Sequence, residues 1–242
     1  MIYAIGDIHG QYDMLNEALM LVDSDGGSDA HIVFVGDYID RGPDSKKVIN
    51  TLIEGKKAGR NWTILRGNHD RMFCRFINDG VEHDDMILSG KGWLHPVIGG
   101  QVTLESYNVD INSDTLLNDA RAAVPKDHIA FLMSRPLWFE KDDKIFVHAG
   151  IRPSIPITEQ IEDDLIWIRE DFLNYTGDHG KLIVHGHTAM PHPLRYSNRV
   201  NLDGGAGFGR PLQPVVFEGN NCWILTADGR QEMPLQPIPK EK

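Results

Sequence analysis

The sequence predicts a layered α/β fold whose functional residues gather at one edge of a sheet. Two observations carry this. Five short apolar runs each break off into Gly, Asp, Asn or His, and helical periodicity follows the first three. The runs lie in 2-IYAIGDIHG-10, 31-HIVFVGDYIDRG-42, 62-WTILRGNHD-70, 145-IFVHAG-150 and 181-KLIVHGH-187. Continuous apolar stretches of this length suit strands buried on both faces. Strand, polar turn, helix, strand is the signature of a layered α/β domain.

The first helix is predicted from Met14, Leu15, Ala18, Leu19 and Val22, which form one apolar stripe after Gly10. Val48, Ile49, Leu52 and Ile53 predict a second, and Met72, Phe73, Phe76 and Ile77 a third. From about 77 to 136 the pattern changes to a polar stretch broken by Gly80, Gly90, Gly92 and Gly99-Gly100. It is expected to be a mostly helical excursion, with helices near 115–123 and 127–133. Beyond Met190, Val215–Phe217 and Cys222–Leu225 read as antiparallel strands joined by a hairpin at 218–221. Residues 1–235 are expected to form a single domain, and the proline-rich, charged residues 236–242 a loose tail.

Composition narrows the function. A net charge of −11 repels a nucleic-acid backbone, so no nucleic-acid groove is expected. No apolar run is long enough to cross a bilayer, and the start MIYAIGDIHG does not resemble a signal peptide. The expected compartment is the cytoplasm. Cys74 and Cys222 are too few for a disulfide framework or a thiolate zinc site; Cys74 reads as a core residue.

Ligands of open α/β sheets bind beyond the carboxyl ends of the strands. The five runs bring Asp7, His9, Asp37, Asp40, Asn68, His69, His148, His185 and His187 there. One histidine after a strand is usually a satisfied loop residue. Five strand ends drawing Asp, His and Asn, rather than Ser, Thr or Lys, point instead to a metal site of oxygen and imidazole donors. Asp7 and His9 alternate along an extended chain, so both can reach one ion.

The blocks 6-GDIHG-10, 36-GDYIDRG-42 and 67-GNHD-70 resemble the three signature blocks of the phosphoprotein phosphatases, a branch of the calcineurin-like metallophosphoesterases. Later segments, 148-HAG-150 and 186-GHT-188, are similar to the fourth and fifth blocks. The resemblance spans about residues 1–210 and implies a four-layer αββα sandwich, with the active site at the C-terminal strand ends. It assigns Asp7 and His9 to a first divalent ion, Asp37 to a bridging position, and Asn68, His148 and His187 to a second ion. Mn2+ is the expected metal, with Fe or Zn as other choices. The implied reaction is phosphomonoester hydrolysis by in-line attack of a metal-bridging hydroxide. His69 would protonate the leaving oxygen with Asp40 orienting it, and Arg41, Arg169 and Asn68 would bind phosphate. His185 and Asp70 would support the donors from behind.

Other residues read more plainly. His83, His95, His128 and His192 are expected to be solvated or locally satisfied, and Trp93 and Tyr107 to pack the excursion. In 201-NLDGGAGFGR-210, Gly204 stands where bacterial relatives carry threonine, and Phe208 is a candidate wall of the pocket.

The resemblance leaves the substrate open. Between 77 and 136 the basic residues are Lys91, Arg121, Lys126 and Arg135, against nine acidic ones. That balance disfavours a polyanion. The expected substrate is therefore a phosphorylated protein or small phosphoester, and the expected activity that of a serine/threonine or dual-specificity protein phosphatase. The alternative is a symmetrical diadenosine tetraphosphatase. A non-catalytic phosphoprotein-binding scaffold is a third, disfavoured because no donor or acid is missing.

Overall fold

The computed structural model of the chain describes residues 1–238. Strands β1 (Ile2–Ile5), β2 (Ile32–Phe34) and β3 (Trp62–Ile64) pair in parallel, connected by helices α1 (Tyr12–Gly26) and α2 (Ser45–Lys57). Helix α3 (Asn68–Asp79) leaves directly from the turn after β3. Helices α4 (Gly100–Ser106), α5 (Leu116–Ala123) and α6 (Lys126–Met133) follow before the chain enters a second sheet. That sheet contains β4 (Trp138–Lys141), β5 (Lys144–Val147), β6 (Leu182–His185), β7 (Leu194–Arg195) and β8 (Arg199–Asn201), in the order β4-β5-β6-β8-β7. Short helices α7 (Glu162–Trp167) and α8 (Glu170–Leu173) lie between β5 and β6. The chain then returns to the first sheet as β9 (Val215–Glu218), β10 (Asn221–Thr226) and β11 (Gly229–Glu232), giving β11-β10-β9-β1-β2-β3.

Strand alternation sorts the apolar side chains into layers. Tyr3 and Ile5 of β1 join the core beneath α1–α3, whereas Ile2 and Ala4 face a second core shared with Phe146, Val184 and Val200 of the other sheet. On that sheet Ile145, Val147 and Ile183 turn outward to pack on Leu165, Ile166 and Phe172 of α7 and α8. Helix, sheet, sheet, helix is the layering the family resemblance implied, and the sheets pack through interdigitated side chains.

The three predicted helices, the helices near 115–123 and 127–133, and the hairpin all form. The excursion is less helical than expected, because 80–99 holds turns rather than helix. Four strands had no legible pattern. β11 is exposed throughout and β7 has two residues, while β4 is only half covered. In buried β8 the one apolar residue, Val200, lies between Asn201 and Arg199, whose guanidinium is 4.1 Å from the Tyr196 ring centroid. Such strands are held by backbone pairing and neighbours, not by their own periodicity. Of the expected tail, Gln236 N–H donates to the Arg195 carbonyl at 2.8 Å; residues 239–242 lie outside the described residues. No helix among the described residues is long and apolar enough to cross a membrane.

Gly55 shows how tightly the helical layer fits. A Cβ there would fall 1.8 Å from Cζ3 of the buried Trp62 ring. Helix propensity alone favours alanine by about 1 kcal/mol, but the overlap should reverse the sign. Gly55→Ala is expected to destabilise by about 1–3 kcal/mol, read from the urea midpoint; an unchanged or raised midpoint would mean that the indole yields freely.

Candidate metal centre and phosphate pocket

Among the described residues, five of the eight non-glycine residues with positive φ are His9, Asp37, Asp40, Arg41 and His187. Left-handed backbone at such positions costs of order 1–3 kcal/mol each and persists where surrounding structure enforces it. Its concentration after β1, β2 and β6 marks the strand ends independently of residue type. Two glycines make the crowding possible. A Cβ on Gly67 would sit 2.2 Å from Asp37 Oδ1, and one on Gly186 would sit 2.0 Å from Asp7 Oδ1.

Two donor groups result. His9, Asp37 and His69 form one and Asp37, His148 and His187 the other, each with ligand atoms within 4.8 Å of one another. Asp37 is common to both, with Oδ2 3.7 Å from His9 Nε2 and 3.4 Å from His148 Nε2. Asn68 Oδ1 lies 2.8 Å from His148 Nε2 and 2.9 Å from His187 Nδ1. Asp7 stands beside the groups rather than within them, its carboxylate accepting the His187 backbone N–H at 3.0 Å. His69 completes the first group.

The donor chemistry fits cations. His9 donates Nδ1–H to the Ile39 carbonyl (2.8 Å), and His148 donates Nδ1–H to the Val35 carbonyl (2.9 Å). Each Nε2 is left as the ligand-ready atom. Lone pairs on His148 Nε2, Asn68 Oδ1 and Asp37 Oδ2 therefore converge and require positive charge between them. Burial opposes ionisation of Asp37, yet His148 and His69 hold its carboxyl well below the usual range. Burial pulls His148 down, but Asp37 pushes it up to about 9, so a proton supplies that charge if no metal does. Burial, then Asp203, pushes Asp7 well up. Burial, followed by Arg41, keeps His9 neutral, and burial with Arg169 does the same for His187. Neutral imidazole is the form that binds metal.

Arg41 reaches across this cluster, donating Nη1–H to His9 Nε2 (2.7 Å) and Nη2–H to His69 Nε2 (3.2 Å). His69 Nδ1–H donates to Asp40 Oδ2 at 2.6 Å. Asp70 accepts backbone N–H groups from Gly67, Asp37 and Tyr38. His185 lies apart from the donors, edge-on to Phe172, and burial lowers it to about 3. Arg169 Nη1–H donates to Thr188 Oγ1 at 3.2 Å, while Arg152 takes up Asp164 and Asp171. A cavity of about 470 Å³ opens over His9, Asp37, Arg41, Asn68, His69 and His187, with Arg152 and Arg169 also on its wall. Phe208 does not line it; its exposed ring packs 4.9 Å from the Arg41 guanidinium.

Sequence reasoning passed over three groups. Trp93 does pack on Phe73 and Phe76, but its Nε1–H also donates to Asp40 Oδ2 at 2.9 Å. Thr103 Oγ1–H donates to Asp40 Oδ1 at 2.7 Å. Asp203 is buried beside Asp7. The conspicuous aspartate in 203-DGG-205 was the available signal for the last. His128 is buried and satisfied by Tyr107 Oη and Asn50, whereas His83, His95 and His192 lie near the surface.

Buried carboxylates and imidazoles beside guanidinium groups make up the equipment of hydrolases that work on phosphate esters with metal ions. The chain belongs to the calcineurin-like phosphoesterase family, whose model matches residues 1–198. It is 29% identical over 241 residues to PrpE of Halalkalibacterium halodurans, a bis(5'-nucleosyl)-tetraphosphatase described as asymmetrical, with 88% of each chain covered. It is 32% identical over 152 residues to the symmetrical bis(5'-nucleosyl)-tetraphosphatase of a Janthinobacterium species, covering 62% of this chain and 44% of that protein. The cold-active protein-tyrosine phosphatase of a psychrophilic Shewanella shares the fold, with a TM-score of 0.64 at 19% identity, over 96% of this chain and 80% of that one.

Chelator-stripped protein titrated calorimetrically with Mn2+ is expected to take up two ions per chain. Asp37→Asn should lose at least one of them, since the shared carboxylate lies in both donor groups. Full two-ion uptake by the variant would remove Asp37 from its shared position.

Proposed function

We propose that the chain hydrolyses dinucleoside tetraphosphates at a two-metal centre, residues 1–235 serving as one catalytic unit. The observation that carries this reading is its similarity, over 88% of both chains, to a bis(5'-nucleosyl)-tetraphosphatase. It departs from the substrate expected from the sequence. The charge count that disfavoured a polyanion covered only 77–136, whereas the cations around the cavity, Arg41, Arg152 and Arg169, come from other segments.

Asp7, His9, Asp37, Asn68, His148 and His187 would hold two divalent ions. When bound, these supply Lewis acidity and a water of lowered pKa. Arg41 and Arg169 bind the non-bridging oxygens of the phosphate under attack, where a planar guanidinium can donate twice. His69 would serve as the acid, its ring fixed by the Nδ1–H bond to Asp40; Nε2, which accepts from Arg41 in the resting site, must take up a proton and be released by Arg41 before it can donate to the leaving oxygen. A nucleotide leaving group ends in phosphate, whose second pKa is about 6, so it departs with little help. A serine or threonine alkoxide needs the proton. His69→Asn is therefore expected to slow an alkyl phosphomonoester by about 10²–10⁴ and diadenosine tetraphosphate far less; equal losses in single-turnover assays would contradict this division.

A second reading, phosphoester or phosphopeptide hydrolysis, is favoured by the acidic cavity rim of Asp163, Glu170 and Asp171. The deciding assay uses protein reconstituted separately with Mn2+, Fe2+ and Zn2+. It compares kcat/KM for diadenosine tetraphosphate with that for phosphoserine, phosphothreonine and phosphotyrosine peptides. The tetraphosphate is expected to lead by tenfold or more; the reverse ranking restores the phosphatase reading. Chromatography of products separates symmetrical cleavage (two ADP) from asymmetrical cleavage (ATP and AMP).

A further inference from the structure

Part of the cavity lining is apolar, and phosphate chemistry does not use it. Trp167, Met86, Leu88 and Ile98 line it in continuity with Arg41, Arg169 and His187. Leu88 is 99% exposed and Met86 39% exposed. Open aliphatic side chains at the mouth of a polar site mark a surface that something apolar covers. The Trp167 ring is partly buried and stands edge-on to His187, centroids 5.9 Å apart. The indole therefore adjoins the metal donors directly.

Charge restricts what can lie there. Asp163 and Asp171 on the lining are paired with Arg71 and Arg152, so the guanidinium groups left for a phosphate chain are those of Arg41 and Arg169, while Glu170 repels it. A substrate held by both sides needs phosphate at one end and an uncharged, flat, apolar group next to it. We propose that Trp167, Met86 and Leu88 form a nucleobase subsite, in which the indole stacks on one purine ring of the substrate and the aliphatic lip closes over its edge. This rests on the tetraphosphatase reading for the identity of the substrate but not for the contact itself.

The test compares adenosine 5'-monophosphate with ribose 5-phosphate, which differ only in the base. Calorimetric titration of each into Mn2+-loaded protein should show the nucleotide binding about tenfold or more tighter. Trp167→Ala should remove most of that preference. Leu88→Ser, at an exposed position where folding is not at stake, should reduce it. In both variants kcat/KM for diadenosine tetraphosphate should fall relative to that for p-nitrophenyl phosphate.

Equal affinity of wild-type protein for the two ligands overturns the subsite, as does a preference that survives both substitutions. Displacement by a phosphotyrosine peptide without any base preference also overturns it, assigning the surface to a peptide side chain. A base preference lost in the variants, with phosphopeptides nevertheless the better substrates, leaves the subsite standing and refutes the tetraphosphatase reading alone.

Discussion

The site depends on one carboxylate that faces no cavity. Asp70, fully buried in the first turn of α3, accepts backbone N–H groups from Gly67 (2.9 Å), Asp37 (2.9 Å) and Tyr38 (3.0 Å). Asp37 returns the contact, its Oδ1 accepting the His69 N–H at 3.0 Å. The turn after β2 and the start of α3 are thereby fastened together. That clasp holds Asp37 in its left-handed conformation, with Oδ2 facing His9, His148 and His69. It also fixes the turn of helix bearing Asn68 and His69. Burial, then the neighbouring charge of Asp37, push Asp70 up to about 6, while its N–H donors act in the opposite direction. A side chain unable to accept would leave buried donors unpaired at about 1–3 kcal/mol each, so the geometry is paid for by satisfied backbone.

Asp40 is the second fixed point, and it joins the helical excursion to the chemistry. Its carboxylate meets His69 Nδ1–H, Trp93 Nε1–H and Thr103 Oγ1–H, all buried. Three donors leave it little freedom to turn, and His69 inherits that rigidity. Trp93 is itself wedged against Phe73 and Phe76 of α3. The excursion is therefore a structural part of the dyad. Its turns at 80–99 exist to deliver an indole and, shortly after, a threonine to one carboxylate.

The sequence disclosed the parts of the molecule that repeat a pattern and concealed those that act through shape. Buried parallel strands β1, β2, β3, β5 and β6 were legible because uninterrupted apolar runs ended in ligand-type residues, and the same endings named the donor cluster. Strands β4, β7, β8 and β11 were not, since exposure, shortness or, in β8, buried polar residues on both sides of Val200 left no apolar run to read. Trp93 and Thr103 look like packing residues in one dimension. Only the fold brings them 53 and 63 positions back to Asp40. Asp7, expected among the donors, has a carboxylate that also accepts the His187 amide N–H, a contact nothing in the sequence announced.

Charge shows the same difference between a segment and a site. Counting acidic and basic residues along 77–136 describes a stretch of chain, whereas a substrate meets the walls of a cavity. Those walls draw Arg41 from the turn after β2, Arg152 from beyond β5 and Arg169 from between α7 and α8. The three are not equivalent. Arg152 is occupied by Asp164 and Asp171, which cancels much of its field. Arg41 is steadied by the Phe208 ring and aimed at His9 and His69, and Arg169 is tied to the Thr188 hydroxyl. Positive charge is thus concentrated beside the metal donors and falls away toward the acidic, apolar rim. A phosphate chain would be gripped at its point of cleavage and left less strongly held beyond it, so discrimination among phosphate esters rests on what the uncharged end of the substrate can cover.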